Sequence, residues 1–250
     1  MPDQNAQISL LGDREENQDR VSIIEVDGAT LLMAIDGMGG HENGARAAEL
    51  ATETIEKAFL AQHHPVFDPQ GFLHLAIGRA HAAVVELGAE ISIETRPRAT
   101  CALCLIQDGA AYWGHVGDSR IYHLRGSNVL ERSRDHSHVE VLLYDGEISP
   151  EEIATHPMRN YVECCLGGDA ELPHMSISRQ KSLQQGDIML VCSDGFWSPL
   201  EEAQLADLGA ANGSLSVNLR TLGEIAIRLA APHSNNTSAV AFGFNGAGQS

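Results

Sequence analysis

Apolar residues recur along this chain with two different periods, and the places where the period switches mark its elements. Residues 7–11 read as a first strand, and 20–26 and 29–35 as two more. Asp27-Gly28 joins the second pair, and Asp-Gly between apolar runs is a strong signal for a two-residue hairpin turn. The period then lengthens. Residues 42–61 predict a helix, with Ala48, Ala51, Ile55 and Phe59 recurring every three or four positions, and Pro65 ends the segment. Residues 70–91 predict a second helix carrying Phe72, Ala76, Ala80, Ala83, Val84 and Leu87 on one face. Strand patterns return at 100–107, 110–116 and 119–124, with Asp108-Gly109 as another hairpin turn and Gly117-Asp118 as a tight corner; 129–132 extends this meander. Residues 135–168 break into short helical pieces and loops. Strands follow at 174–178 and 186–192, helices at 199–207 and 216–229, and a closing strand at 239–244.

Hairpin turns imply antiparallel sheets, and here two helices lie between two sets of strands. The layer solution is an α+β fold, a four-layer α-β-β-α sandwich of two stacked antiparallel sheets flanked by helices. No repeat, low-complexity linker or composition break divides the chain, so residues 1–250 are expected to form one domain.

Composition narrows the partners. With 43% apolar residues the chain can bury a sizeable core, and a net charge of −18 argues against nucleic acid or an anionic membrane as partner. Residues 1–7 carry no basic or apolar leader pattern, and no apolar run approaches the ~18 residues that span a bilayer. Five cysteines, an odd number, suit a reducing compartment, so a cytoplasmic location is expected.

The stretch 31–40, Leu-Leu-Met-Ala-Ile-Asp-Gly-Met-Gly-Gly, changes the picture most. A buried strand runs into a fixed carboxylate, Asp36, and then into glycines that let backbone and ligand approach closely. A phosphate-cradling turn fits poorly, because Gly37, Gly39, Gly40 and Gly44 miss the dinucleotide spacing and no P-loop Lys follows. Asp36 would also repel a phosphate unless a cation lay between them. Four other residues share its setting where a strand meets a turn: Asp19, Asp118, Asp194 and Asn235. Strand ends are rigid mounts for ligands, and hard oxygen donors suit Mg2+ or Mn2+ rather than zinc.

Taken together and in order, these segments resemble the metal-dependent protein phosphatases of the PPM (type 2C) family, in their compact bacterial form. Arg14-x-x-Asn17-Gln18-Asp19 matches the opening motif and Asp36-Gly37-Met38-Gly39-Gly40 the metal-bridging motif. Thr100, the corner Gly117-Asp118-Ser119-Arg120 and Asp135-His136-Ser137 follow, then Cys192-Ser193-Asp194-Gly195. Gly146, His156-Pro157-x-Arg159-Asn160 and Leu166-Gly167 are similar to the family's flap, placed here at about 138–168. The resemblance implies a serine/threonine phosphatase holding two Mn2+ or Mg2+ ions and a weaker third. Asp36 would bridge two ions, the Gly37 carbonyl would bind one and Asp194 the other. Asp118 with Asp194 would hold the third, Asp19 would act through water or neighbouring groups, and Arg14 would clamp the substrate phosphate. A hydroxide bridging the two metals would attack phosphorus in line, with no covalent phosphoenzyme, so Ser119, Ser137 and Ser193 are not nucleophiles. The implied partners are phosphorylated proteins, with a bacterial serine/threonine kinase as the activity opposed. Family habits add forkhead-associated-domain proteins and type VI secretion as settings.

The chain departs from the family at its last motif, Asp-Asn-x-Thr. The best ungapped register is Asn235-Asn236-Thr237-Ser238, which puts an uncharged amide where a metal-binding Asp is expected; a shifted register would put Ser234 there. That departure supports a rival reading, a pseudophosphatase that binds phosphoproteins without turnover. A metal-dependent phosphodiesterase acting on nucleic acid is disfavoured by the acidic charge. Met38 stands where eukaryotic members carry His. Cys101-x-x-Cys104 lies in a strand, where the two thiols face opposite ways, so it is read as packing rather than zinc ligation. Cys164, Cys165 and Cys192 are read as plain thiols, His41 as a turn residue, His156-Pro157 as shaping the flap, and Trp113 and Trp197 as packing residues.

Overall fold

Strand β3 (Ala29–Met38) is apolar at nearly every position because both of its faces are covered. Leu31, Met33 and Ile35 pack with the helices of one outer layer, while Leu32 and Ala34 face the opposite sheet. Fully burying such a side chain contributes about 1.5–3 kcal/mol, so this strand anchors two cores at once. The computed structural model describes residues 5–38, 42–210 and 213–246.

In chain order β3 follows β1 (Asn5–Leu10) and β2 (Asp19–Val26) and precedes α1 (Glu42–Leu60) and α2 (Pro69–Leu87). Then come β4 (Arg98–Ala99), β5 (Cys101–Gln107), β6 (Ala110–Val116), β7 (Arg120–Arg125), β8 (Asn128–Arg132) and α3 (His138–Asp145). A 3-10 turn (Pro150–Thr155) leads to β9 (Leu166–Gly167), β10 (Ser176–Ile177), β11 (Lys181–Ser182) and β12 (Asp187–Cys192). The chain closes with α4 (Asp194–Trp197), α5 (Glu202–Ala210), α6 (Leu215–Ala230) and β13 (Thr237–Phe244).

One sheet has the order β1-β13-β12-β7-β8. The other runs β10-β6-β5-β3-β4-β9, with β2 on the other edge of β3 and β11 against β6. Every pairing is antiparallel. The hairpins at Asp27-Gly28 and Asp108-Gly109 place both turn residues at positive φ, the backbone that a two-residue turn between twisted strands demands. Three apolar layers result. Helices α1 and α2 cover the β3–β5–β6 sheet, α4, α5 and α6 cover the β12–β13 sheet, and a third core lies between the sheets. This is the α-β-β-α sandwich expected from the hairpins and helices. Cys101 and Cys104 fall in different cores, on opposite faces of β5.

Several boundaries differ from the sequence reading. The second helix stops at Leu87, capped by Gly88, rather than running to 91. The strand expected over 174–178 is only Ser176–Ile177, and the helix expected over 199–207 is Glu202–Ala210. The pairs Arg98–Ala99, Leu166–Gly167 and Lys181–Ser182 and the single turn Asp194–Trp197 are too short to leave a periodic signature. Gly39, Gly40 and His41 lie outside the described residues.

Candidate active site

The core between the sheets ends in carboxylates. Along β3, Leu32 and Ala34 face the opposite sheet, and the next residue on that side is Asp36. Asp19 opposes Asp36 directly in the β2–β3 ladder, so the two acids share a face. From the other sheet, Asp118 arrives in the corner between β6 and β7, Asp194 follows β12, and Asn235 precedes β13. The pairing of Cys192 with both Arg120 and Ala239 brings these last three to the same end.

A cleft of about 580 Å³ opens there. Arg14, Asp36, Gly37, Asp118, Asp194 and Asn235 all line it, together with Met38 and, from the 138–168 segment, Asn160 and Val162. Asp19 is buried just beneath and does not line it. Asp118 is buried, and Asp36 and Asp194 are half-buried with their open side on the cleft.

The backbone at Asp36 is held by its neighbour strand. β4 and β5 keep one register past it, Ala34 opposing Ala102 and Gly37 opposing Ala99. Thr100 therefore sits opposite Asp36, donates its N–H to the Asp36 carbonyl at 2.8 Å and accepts the Asp36 N–H on Oγ1 at 3.1 Å. The Thr100 and Ser119 hydroxyls are hydrogen-bonded at 2.6 Å, which ties this sheet to the Gly117–Ser119 corner. Gly37 is required by close approach: a Cβ there would lie 2.1 Å from the Gly44 carbonyl oxygen at the start of α1. A side chain on Gly44 would in turn crowd the Gly37 carbonyl at 2.9 Å, so the paired glycines leave that carbonyl uncovered.

A second tie crosses between the sheets. Ser193 Oγ donates to Asp19 Oδ2 at 2.7 Å and accepts the Ser238 N–H at 3.1 Å. The sequence offered no sign of this contact. The last motif is held by Asn236, whose Oδ1 accepts the Gln18 N–H and whose amide donates to the Leu11 and Glu16 carbonyls. Ser234 is turned away onto Asp13, and Asn235 is the residue against Asp194. Asn235 Oδ1 accepts the Asn236 N–H at 2.9 Å, and Nδ2 donates to Asp194 Oδ1 at 2.9 Å. The amide is oriented by that N–H, which needs an acceptor; the oxygen serves the loop and the NH2 serves Asp194.

The electrostatics follow from four acids in one place. Burial, then the charges of Asp19, Asp194 and Asp118, hold the Asp36 carboxyl well above the usual carboxylate range. Burial raises Asp19 to about 7, with Asp194 adding to the effect and the Ser193 hydroxyl opposing it. Asp118 is raised by burial, then by Asp194 and Asp135. Asp194 is raised by burial against donors that include Asp36, the Gly195 N–H and Asn235, with Arg14 also favouring its charge. Such a set is at odds with itself until a cation joins it. Among the described residues no three of these side chains already close around one point, so the acids line an open cleft rather than a finished cage. All donors are hard oxygens, the chemistry of Mg2+ and Mn2+. The residues present therefore fit divalent cations.

Trp197 packs against the core of the β12–β13 sheet, as expected, and in addition its indole N–H donates to the Asp118 carbonyl at 2.9 Å. Asp135 and Arg120, quoted above only as motif residues, form a fork with bonds of 2.8 and 2.7 Å.

A two-sheet sandwich with acids massed at one end of its central core, open to a cleft with one arginine at the mouth, fits a protein that holds divalent cations beside a bound anion. Residues 9–212 match the family model for protein phosphatase 2C, and the matched stretch ends before Asn235. The chain is 30% identical over 223 residues to the protein phosphatase PhpP of Streptococcus pneumoniae serotype 2, covering 86% of this chain and 89% of that protein. The crystal structure of the Mycobacterium tuberculosis serine/threonine phosphatase PstP superposes with a TM-score of 0.82 at 28% identity, covering 97% of this chain and 98% of that one. A further structure, of the PstP catalytic domain, holds two manganese ions, at 26% identity and a TM-score of 0.79, covering 97% and 98%. PppA, described as a key regulatory component of the type VI secretion system in Pseudomonas aeruginosa, aligns at 27% identity and a TM-score of 0.77, covering 96% and 97%. The chain belongs to the protein phosphatase 2C family and is a metal-dependent protein serine/threonine phosphatase of the bacterial type.

Proposed function

We propose that this chain removes phosphate from phosphoserine and phosphothreonine in proteins, with Mn2+ or Mg2+ held by Asp36, the Gly37 carbonyl, Asp118 and Asp194. The observation that carries the reading is the convergence of three acids, Asp36, Asp118 and Asp194, on one cleft with Arg14 at its mouth and with Asp19 buried beside them, each acid having a raised pKa. The two manganese ions in the PstP catalytic domain support it. Bound ions supply Lewis acidity, offsetting phosphoryl charge and making water acidic enough to act as a nucleophile near neutral pH. The protein's own groups do the rest. Arg14 binds phosphate oxygens through its planar fork. Ser193 fixes the orientation of Asp19, and Thr100 fixes the backbone of Asp36. Residues 138–168 act as a flap within one catalytic domain, with Asn160 and Val162 bordering the cleft.

Further proposals follow from the company the chain keeps. It opposes a bacterial serine/threonine kinase, in the cytoplasm, and its likeness to PppA supports a place near type VI secretion, where forkhead-associated-domain proteins are candidate substrates. Among the described residues no helix is long and apolar enough to cross a membrane. The net charge of −18 disfavours nucleic acid.

Asn235 favours one second reading. With an amide whose oxygen is engaged by Asn236, a metal position has lost a charged ligand, and a phosphoprotein-binding pseudophosphatase would result if the loss were complete. Phosphate release from a phosphothreonine peptide decides between the two. Release with millimolar Mn2+ that stops in EDTA supports the enzyme; silence at every Mn2+ concentration, with peptide binding retained, supports the binding module.

A further inference from the structure

Asp118 is the acid with the least secondary structure around it. It sits in the corner between β6 and β7, outside both strands. Its support comes from behind. Trp197 is the last residue of α4, whose first residue is Asp194. One helical turn thus carries one acid at its start and the tether of another at its end, since the Trp197 N–H donates to the Asp118 carbonyl at 2.9 Å. Trp197 is only half-buried, so water could have served its N–H; the ring is instead turned to aim that donor at the backbone of the corner.

The indole is itself held. The Arg120 guanidinium carbon lies 3.2 Å from the centroid of the ring. Arg120 forks onto Asp135 through Nε and Nη2, and Nη1 donates to the Tyr122 hydroxyl at 3.1 Å. Burial opposes the Arg120 charge, and Asp135 and Tyr122 together more than offset it, so the guanidinium stays charged. A planar cation stacked on an aromatic face and forked to a carboxylate is a stiff arrangement, because each contact fixes the same plane. Arg120 is two residues from Asp118, so the path closes on itself: corner, arginine, indole, corner.

We propose that Trp197, backed by Arg120 and Asp135, is a positioning residue that fixes Asp118 relative to Asp194 and so sets the affinity of the weakest divalent-ion site. The inference rests on the reading that Asp118 and Asp194 share that ion. A preorganised pair of ligands binds more tightly than a pair that must be gathered, and a site with few protein ligands is the most sensitive to this.

The test compares the natural chain with Trp197→Phe, Arg120→Lys and Asp118→Ala. Mn2+ binding is followed by calorimetry, and phosphate release from a phosphothreonine peptide is titrated with Mn2+. Trp197→Phe keeps a ring for Arg120 and loses the donor. It is expected to leave the tighter binding steps unchanged and to raise the Mn2+ concentration of the weakest step, and of half-maximal rate, by roughly three- to tenfold. The rate at saturating Mn2+ should recover. Arg120→Lys, which unbraces the indole, should shift the weak step in the same direction and decides the matter if Trp197→Phe does not fold. Added to Asp118→Ala, Trp197→Phe should change neither the remaining steps nor the residual rate. An unchanged weak step in both single variants overturns the proposal, as does an equal effect of Trp197→Phe in the Asp118→Ala background. If Asp118→Ala itself leaves the weak step intact, the ligand reading of Asp118 fails and the inference falls with it.

Discussion

Replacing Asn235 by Asp should make this protein less stable without metal and more stable with it. In the natural chain the Asn235 amide donates to Asp194 Oδ1 at 2.9 Å. A carboxylate there removes that donor, and a hydrogen bond to a charged group contributes about 1.5–3 kcal/mol. It also sets two acids side by side; unit charges about 4 Å apart repel by about 4 kcal/mol at an effective dielectric of about 20. Protonation relieves part of this, because Asp194 already has a raised pKa and the pair can share one proton. The metal-free variant should therefore lose about 2–4 kcal/mol, a fall in Tm on the order of 5–15 °C for a chain of this size. A divalent ion reverses the sign. Each carboxylate is then drawn to a double charge, roughly twice the attraction of a unit charge, and their mutual repulsion is smaller than the sum of the two attractions. The Asn236 N–H, now bonded to the Asn235 oxygen, keeps an acceptor in the variant. Thermal melts of both forms in EDTA and across a Mn2+ titration should cross, the natural form higher in EDTA and the variant higher at saturating Mn2+. Half-maximal phosphatase activity should need less Mn2+ in the variant. Melting curves that stay parallel at all Mn2+ concentrations, with equal half-maximal concentrations, would refute the reasoning and remove Asn235 from the metal site.

Four other outcomes are expected. Asp36→Ala and Asp194→Ala should reduce phosphate release to the uncatalysed background, whereas Asp118→Ala should lower it with two calorimetric metal steps intact; the reverse pattern would exchange the assignments. Gly37→Ala should cost about 1–3 kcal/mol by overpacking, since its Cβ would lie 2.1 Å from the Gly44 oxygen, and a variant with unchanged Tm would contradict that contact. Asp187, far from the cleft, is buried, yet Arg125, the Gln184 N–H and His123 hold it at about 2 against an ordinary 3.8. A lowered carboxyl stabilises above its unfolded value and loses that as the pH falls through its folded one, so about 2.5 kcal/mol should disappear between about pH 4 and 2, and Asp187→Asn should flatten that limb of the stability curve. Shortening 138–168 should impair release from phosphoproteins more than from a small aryl phosphate, and equal losses on both would count against a substrate-selecting flap.

What could be read in the chain and what could not divide along the range of the interactions. The run Leu31 to Ile35, the helix stripe Ala48, Ala51, Ile55, Phe59 and the two Asp-Gly turns each announce their structure within a few residues, and each formed where expected. The acids were visible for the same reason, because Asp36 and Asp194 stand where apolar runs stop and Asp19 where a strand begins. The supports of those acids were not. Ser193 reaches Asp19 across 174 residues, a contact that only the stacking of one sheet on the other creates, and Trp197 reaches Asp118 across 79, a contact that only the pairing of β12 with β7 creates. A serine beside an aspartate and a tryptophan in a short turn carry no periodic mark of such a role. The two-residue strand Arg98–Ala99 was silent too, although it continues the β5 register beside Gly37 and Met38. Asn235 shows the limit most sharply. Its position could be reasoned from the order of motifs, but whether it offers oxygen or NH2 to the cleft depends on the next residue's N–H, which claims the oxygen. The natural chain has therefore exchanged one negative charge in the site for a donor that steadies Asp194. A donor in place of a charge lowers like-charge repulsion in the metal-free protein, and on the proposed reading it should raise the Mn2+ concentration needed for half-maximal activity.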